Sequence, residues 1–445
     1  MTRPPWMPMP LSLPLLSRFP GVTGARHALL SVGVLVGLVT TVGGPAMAEP
    51  NPYYIGASQA IAYESNLLQM GNEQAVPAGY SKSDTSSTTS LLAGLNQPIG
   101  RQRVYGSLSL RYTRYRNNTL FDNTGYAVNG GLDWSTINRI SGTVVVSANR
   151  QLSSFGLTEI GLLSRKNLET AQAANATVAI GGVTQYTLEG SLGARRVRNS
   201  LEQSAIRARD YDQTQASLGV RWRPSSASNF GAALRGSQGT YPRFRQRFDG
   251  SFIEDKFTRQ DLDLTALVIP TGLSTYDARV SIGKTRYDLN EQRDFSGVTG
   301  SLGWVYVPSG KLSFTTRLSR DTGQDNYAIT DFANNDLRSA YSQTTNTLRF
   351  QAEYSATAKI GITAVAQYAQ RTLVRTLDSS LFPGNASDLR GSDRDTYLSL
   401  GARYAPLRNA IIGCDLGTLN RNASGQLSGD LKDNSVSCYG QLTLQ

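Results

Sequence analysis

Beyond Ala48 the chain holds no apolar run long enough to cross a bilayer as a helix, yet for most of its length it alternates apolar and polar residues with a period of two. A spanning helix needs about 20 consecutive apolar residues. Strict alternation specifies strands with one apolar and one polar face. Val104, Gly106, Leu108, Leu110 and Tyr112 alternate with Tyr105, Ser107, Ser109, Arg111 and Thr113. Tyr276, Ala278, Val280 and Ile282 alternate with Asp277, Arg279, Ser281 and Gly283, and Leu312, Phe314, Thr316 and Leu318 with Ser313, Thr315, Arg317 and Ser319. If such a chain enters a membrane it does so as a closed barrel, the one strand arrangement that pairs every backbone group in hydrocarbon.

The alternating segments come in pairs joined by short turns at Pro224–Ser228, Pro270–Ser274, Pro308–Gly310, Ser355–Ala358 and Ala405–Arg408. Long polar segments, Gln238–Glu254, Thr322–Ala340 and Thr372–Arg394, lie between the pairs and read as loops. That sidedness is the pattern of an outer-membrane barrel, with turns in the periplasm and loops outside. The expected fold is therefore all-β: a transmembrane, antiparallel, up-and-down barrel of about 18 strands, with 16 as the alternative, from Tyr53–Ser65 to Ser435–Leu444. An even count places both termini in the periplasm, and a barrel of this size has room for an aqueous lumen. Glu49–Pro52 is too short for a plug domain, which argues against an energy-coupled transporter.

The first 48 residues differ from the rest. Arg18, Arg26 and His27 precede an apolar stretch from Ala28 to Val42, followed by Gly43-Gly44-Pro45 and Ala46-Met47-Ala48. A basic region, a short apolar core and a small-residue site make a secretory signal with cleavage after Ala48. The organisation read here is residues 1–48 as signal peptide and 49–445 as one barrel, since no linker or composition break follows. Cleavage removes the only histidine and three arginines but no acid, so the net charge falls from +11 to +8. No basic cluster is long enough for a nucleic-acid arm.

Aromatic residues gather beside the short turns. Trp134, Trp222, Trp304, Tyr354 and Tyr404 lie just before them, and Tyr105, Tyr186, Phe230, Tyr276 and Phe314 just after. Most share the apolar face, as in a girdle at a bilayer interface. Ordinary strand preference for aromatics is the competing explanation.

Sending the apolar set to lipid turns Arg111, Arg195, Arg221, Arg235, Arg279, Arg317, Arg349 and Arg403 inward, together with Asp133, Glu189, Asp261, Asp263, Asp277 and Glu353. These either tune ion passage or form structural ion pairs between strands. The slight arginine excess in this set predicts weak anion preference. In Tyr241–Phe257, Tyr241, Phe244, Phe248 and Phe252 interleave with Arg243, Arg245 and Arg247, which suits a sugar contact, a pore constriction or a packed surface loop. Cys414 and Cys438 flank the final hairpin and fall opposite each other on the face of Ile412 and Val436. A cross-strand disulfide follows if the register holds, the alternative being a buried free pair.

With no histidine beyond residue 48, Ser-His-Asp chemistry is excluded for the exported chain. No zinc, phosphate-cradling or calcium motif appears, so no cofactor and no metal is expected. The acid pair Asp261 and Asp263 could in principle serve a glycosidase, but two acids on one strand face read more simply as lumen lining. An enzyme is not the expected function.

Tyr63-Glu64-Ser65-Asn66-Leu67-Leu68 resembles the segment that closes the first strand in β-barrel porins encoded with exopolysaccharide operons, the EpsL-type proteins. Arg403-Tyr404-Ala405-Pro406-Leu407-Arg408-Asn409 and the ending Val436–Gln445, with Cys438, are similar to that family's last strands. The resemblance implies an outer-membrane barrel serving synthesis or export of an exopolysaccharide, with lipid, polysaccharide and periplasmic export components as partners. It carries over no catalytic residue. General diffusion of small solutes, or a structural or adhesive barrel with a closed lumen, are the alternatives. One departure from outer-membrane proteins at large is the terminal Gln445, where many end in an aromatic residue.

Overall fold

A computed structural model describes the chain from Asn51 to Leu444, except for residues 72–74, 138, 154–165, 182–183, 203, 248, 290, 331–335, 380–386 and 426–428. The expected signal segment and Ala48 lie outside the described residues. The strands are β1 (Tyr53–Glu64), β2 (Asp84–Ile99), β3 (Gln102–Tyr115), β4 (Asn123–Ser135), β5 (Ile140–Leu152) and β6 (Leu168–Ile180). They continue as β7 (Tyr186–Asn199), β8 (Tyr211–Ser225), β9 (Ser228–Gln246), β10 (Phe252–Thr271), β11 (Ser274–Tyr287) and β12 (Phe295–Ser309). The last six are β13 (Leu312–Thr330), β14 (Asp336–Ser355), β15 (Ile360–Ser379), β16 (Ser387–Leu407), β17 (Ala410–Gly425) and β18 (Leu431–Leu444). Every strand pairs antiparallel with its neighbours in sequence, and β1 pairs with β18 from Ile55↔Leu444 to Glu64↔Ser435. The result is one closed 18-stranded sheet. No helix among the described residues is long and apolar enough to cross a membrane.

Burial shows which way the two faces of each strand point. Leu192, Leu218 and Leu234 are 67%, 61% and 69% exposed on the outer surface, whereas Arg235, Asp261 and Asp393 on the inner face are 7%, 3% and 1% exposed. In a water-soluble protein the apolar set would be hidden and the charged set exposed. Here the arrangement is inverted around the whole wall, and an apolar outer surface of this extent is a membrane-facing one.

The eight even-to-odd connections, such as those between β2 and β3, β8 and β9, and β16 and β17, are short and lie at the end that carries both termini. We call this the turn end and the other the loop end. The three segments read as long loops are a correction: β9 runs on to Gln246 and β10 resumes at Phe252, β13 reaches Thr330 and β14 starts at Asp336, and β15 reaches Ser379 before β16 starts at Ser387. These are hairpins that continue past the apolar belt. Beyond the membrane both faces meet water, so the alternation disappears while the backbone pairing persists.

At the loop end a small water-excluding core forms over β1 to β5. Leu68, Met70 and Phe121 are fully buried, with Tyr80 and Tyr115 against Phe121 at ring-centroid distances of 5.8 and 6.3 Å. Asn66 shapes its first turn by accepting from the Met70 N–H at 3.0 Å and donating to the Met70 carbonyl at 2.8 Å. The Tyr63–Leu68 motif thus ends β1 and begins this core.

The two faces make opposite demands, so substitutions across one strand separate them. Leu218→Arg, on the outer face of β8, is expected to destabilise the barrel by about 2–4 kcal/mol, the range for a charge near a bilayer midplane. Gln215→Arg, on the inner face of the same strand, is expected to cost less than about 1 kcal/mol. Urea unfolding in lipid vesicles measures both, and equal losses would contradict the assigned faces.

Candidate functional site: the lumen wall

The inward charges form ladders of ion pairs across neighbouring strands. Register brings Arg235 on β9 opposite Asp261 on β10, with Asp263 two residues along the same face. Arg235 reaches Asp261 at 2.9 Å and Asp263 at 3.0 Å. Arg259 closes on Asp261 at 2.9 Å, while Asp263 also takes Arg279 at 2.9 Å and the Ser281 hydroxyl at 2.5 Å. Asp277 continues the series toward the turn end and receives Arg317 from two strands away at 3.1 Å. The acid pair therefore has an arginine partner for each carboxylate, which is an ion-pairing role.

A second ladder crosses β15 to β17. Arg371 binds Asp393 at 2.5 Å and Asp395 at 3.3 Å, and Arg421 binds Asp395 at 2.8 Å. None of these four belongs to the charge set predicted from sequence: Asp393 falls in Thr372–Arg394, which reads as loop, and Arg371, Asp395 and Arg421 are flanked by the polar Gln370, Thr372, Arg394, Thr396, Asn420 and Asn422, so alternation is weak there. The signal was present: Asp393, Asp395 and Arg403 occupy the same parity of β16, and extending the alternation would have found them.

The remaining predicted charges take separate places. Arg221 pairs with Glu189 across β7 and β8. Asp133 lies 3.9 Å from Arg103, whose guanidinium also covers the Tyr105 ring at 5.2 Å. Arg195 stands 5.7 Å over Tyr211, and Arg349 donates to Gln367 at 3.2 Å. Glu353 accepts from Gln351 at 2.7 Å. Arg111 lies beside Gly125, and Arg403 beside Gly361. These residues share the inner face, but the structure does not gather them into one cluster.

The inner face overturns the arginine excess. At the inward strand positions of the described residues it adds Arg103, Arg223, Arg243, Arg245, Arg259, Arg371 and Arg421 to the expected set, but also Glu64, Asp84, Glu169, Asp255, Asp321, Asp393, Asp395, Asp415 and Asp433. Carboxylates are at least as numerous as arginines, so the basis for anion preference disappears.

Toward the loop end the wall narrows. The helical turn Ser204–Arg207, between β7 and β8, packs against β9 and β13, and the 3-10 turn Glu291–Arg293, between β11 and β12, reaches β14. Arg293 is 1% exposed, with its guanidinium 4.3 Å from the Tyr287 ring and 5.0 Å from Tyr241, and 3.8 Å from Asp255. Phe257 joins this cluster by lying against Gly239, where a Cβ would come within 2.2 Å of the ring. Tyr241 therefore faces inward and Arg243 reaches Asp210 at 3.4 Å, while Phe248 lies outside the described residues. Of the residues singled out in Tyr241–Phe257, Tyr241 and Arg243 thus lie on the inner face, in or beside this packed cluster.

Outside, Trp222 packs on Phe230 at 5.7 Å, and Tyr276, Trp304, Tyr306, Phe314 and Phe350 form a line of rings across β11 to β14, with centroids 5.6–6.4 Å apart. Tyr354 and Tyr404 are 44% and 46% exposed on this surface, and Trp134 lies across Gly142 of the neighbouring strand. Tyr105 is the exception, facing the lumen. Cys414 and Cys438 are register partners joined by a disulfide, with Cα atoms 4.1 Å apart. The bridge lies on the outer surface. Among the described residues no group of three or more His, Cys, Asp or Glu could hold a metal ion.

No family model matches the chain, and no curated protein does. Its backbone is similar to several solved structures. OpdK of Pseudomonas aeruginosa, solved with vanillate, is 12% identical, with 88% of this chain and 99% of that one covered and a TM-score of 0.46. OccK9 (OpdG) of the same organism is 14% identical over 88% and 98% of the two chains, TM-score 0.42. The FrpB iron transporter of Neisseria meningitidis is 9% identical over 89% and 82%, TM-score 0.48. The fold assignment rests on the strand closure and the two faces described above, not on these likenesses.

The ladders make Arg235 the residue on which most charge depends. Arg235→Met leaves Asp261 and Asp263 with one arginine each, and it is expected to cost about 3 kcal/mol, the low end for removing one partner of a buried pair. Conductance through the variant is expected to move toward cation preference. An unchanged reversal potential under a salt gradient would show that the ladder does not face the permeation path.

Proposed function

We propose that this barrel is an outer-membrane passage for a hydrophilic, polyhydroxylated solute and that it serves the export of an exopolysaccharide, with its turns and both termini in the periplasm. The observation that carries the reading is the lumen wall of paired arginines and carboxylates. A guanidinium has five N–H donors and a carboxylate about four acceptor sites, so a bidentate pair leaves hydrogen-bonding capacity of both signs facing the lumen. Such a surface exchanges hydrogen bonds with hydroxyl groups while presenting little net charge, which suits a sugar chain better than a selected ion. The resemblance to EpsL-type barrels supplies the exopolysaccharide, and periplasmic export components and outer-membrane lipid are the partners it implies.

Diffusion of small solutes is the second reading. It is favoured by the inward turns Ser204–Arg207 and Glu291–Arg293, which narrow the loop end.

Purified protein in planar bilayers is expected to conduct with a reversal potential near zero under a salt gradient, and added neutral oligosaccharide is expected to reduce the current. A strain lacking the gene is expected to lose secreted exopolysaccharide. Conductance with unaltered secretion would leave the small-solute reading standing, and a silent protein with unaltered secretion would remove both.

A further inference from the structure

We infer that the outer wall over β5 to β8 binds an anionic, phosphate-bearing lipid in the loop-end leaflet, with the headgroup on Arg150, Arg196 and Arg198 and an acyl chain in the groove below them. All three arginines sit at outward positions of their strands. Register places Arg150 opposite Thr170 and Thr170 opposite Arg198, so the two guanidinium-bearing positions are two strand spacings, about 10 Å, apart. Gln172 stands opposite Arg196, and Arg196 opposite Asp212, in the adjacent row.

Asp212 organises the pair. It binds Arg196 Nε at 2.8 Å and Arg198 at 2.5 Å, and Arg198 is held further by the carbonyls of Val197 and Tyr211 at 2.9 and 3.1 Å. Arg196 is 60% exposed through its side chain and commits only Nε, so its two terminal nitrogens project from a fixed fork with no partner among the described residues. Three guanidinium groups against one carboxylate leave a net positive cluster. A planar fork matches the oxygens of a phosphate ester.

The cluster lies at the depth of lipid headgroups. From Tyr186 at the turn end of β7 to Arg196 is ten residues, or about 33 Å along a strand, which a tilt of about 40° reduces to about 25 Å, the height of the apolar belt of such barrels. A groove of about 460 Å³ runs over β6 to β9, with Gln172, Arg196, Asp212 and Thr240 at its loop-end side and Ala174, Ala194, Thr214 and Gln238 at the side toward the membrane. Small side chains leave room there for a chain of methylene groups. A soluble anion has no use for that groove, and an arginine that only snorkels to the interface has no need of a carboxylate to orient it.

Native mass spectrometry of the whole barrel in a non-ionic detergent tests the site, with phosphatidylglycerol, phosphatidylcholine and inorganic pyrophosphate as probes. The expected result is a phosphatidylglycerol adduct at a concentration at least tenfold below that needed for phosphatidylcholine. The double variant Arg196→Gln/Arg198→Gln is expected to weaken it about tenfold, as for loss of charge-assisted contacts. Arg394→Gln/Lys432→Gln, which removes outward cations elsewhere on the rim, is expected to leave it intact. Ala194→Trp fills the groove without touching charge and is expected to weaken phosphatidylglycerol as well; this variant decides the matter should the arginine variant fail to fold. Equal retention by both variants and the parent protein overturns the proposal. So does equal affinity for the two lipids, or pyrophosphate binding as tightly as phosphatidylglycerol.

Discussion

Everything in this molecule depends on the pairing of β1 with β18. An open sheet in hydrocarbon would leave two rows of unpaired N–H and C=O groups, each costing several kcal/mol, and no side-chain packing against lipid recovers that. The seam is fixed at both ends. At the loop end Asp433 accepts from the Ser65 hydroxyl and from the Asn66 N–H, both at 2.9 Å. At the turn end the pairing runs on to Gly56↔Thr443 and Ile55↔Leu444. The disulfide joins β17 to the closing strand itself, so the last hairpin is held covalently beside the seam.

Closure divides the side chains into two environments with opposite rules. Outside, apolar residues gain from contact with lipid, and aromatic rings collect at the turn end, where their apolar bodies and polar edges suit an interface. Inside, charges face a polar space and satisfy one another through the wall. Arg235, Asp261 and Asp263 show why pairing wins over isolation: buried carboxylates without counter-charges would be strongly disfavoured, and neighbouring strands about 4.8 Å apart place arginines within reach. The ladders follow from strand spacing as much as from composition.

Much of this is legible in the sequence. The strand number, the termini at one end, the aromatic rows at Trp222 and Trp304 and the opposition of Cys414 and Cys438 all derive from a period of two read within one hairpin at a time. Reading fails where the period fails. The hairpins β9–β10, β13–β14 and β15–β16 outrun the membrane, and with water on both faces their outer ends carry no alternation, so pairing looks like loop. Asp393 was missed for that reason, and Arg371, Asp395 and Arg421 because their flanking outward positions are polar as well, and with them went the even balance of lumen charge.

The sequence by itself determined that the chain forms a closed sheet with an apolar exterior, because alternation is a local property and hydrocarbon admits only closed strand assemblies. Tertiary structure alone decided which charges meet and what fills the loop end. Arg293 reaches Tyr241 and Tyr287, Ser204–Arg207 reaches β13, and Arg317 reaches Asp277 only because closure and register set distant segments side by side. The groove beneath Arg196 exists for the same reason: four strands, each unremarkable alone, bring small side chains to one place on the outer wall.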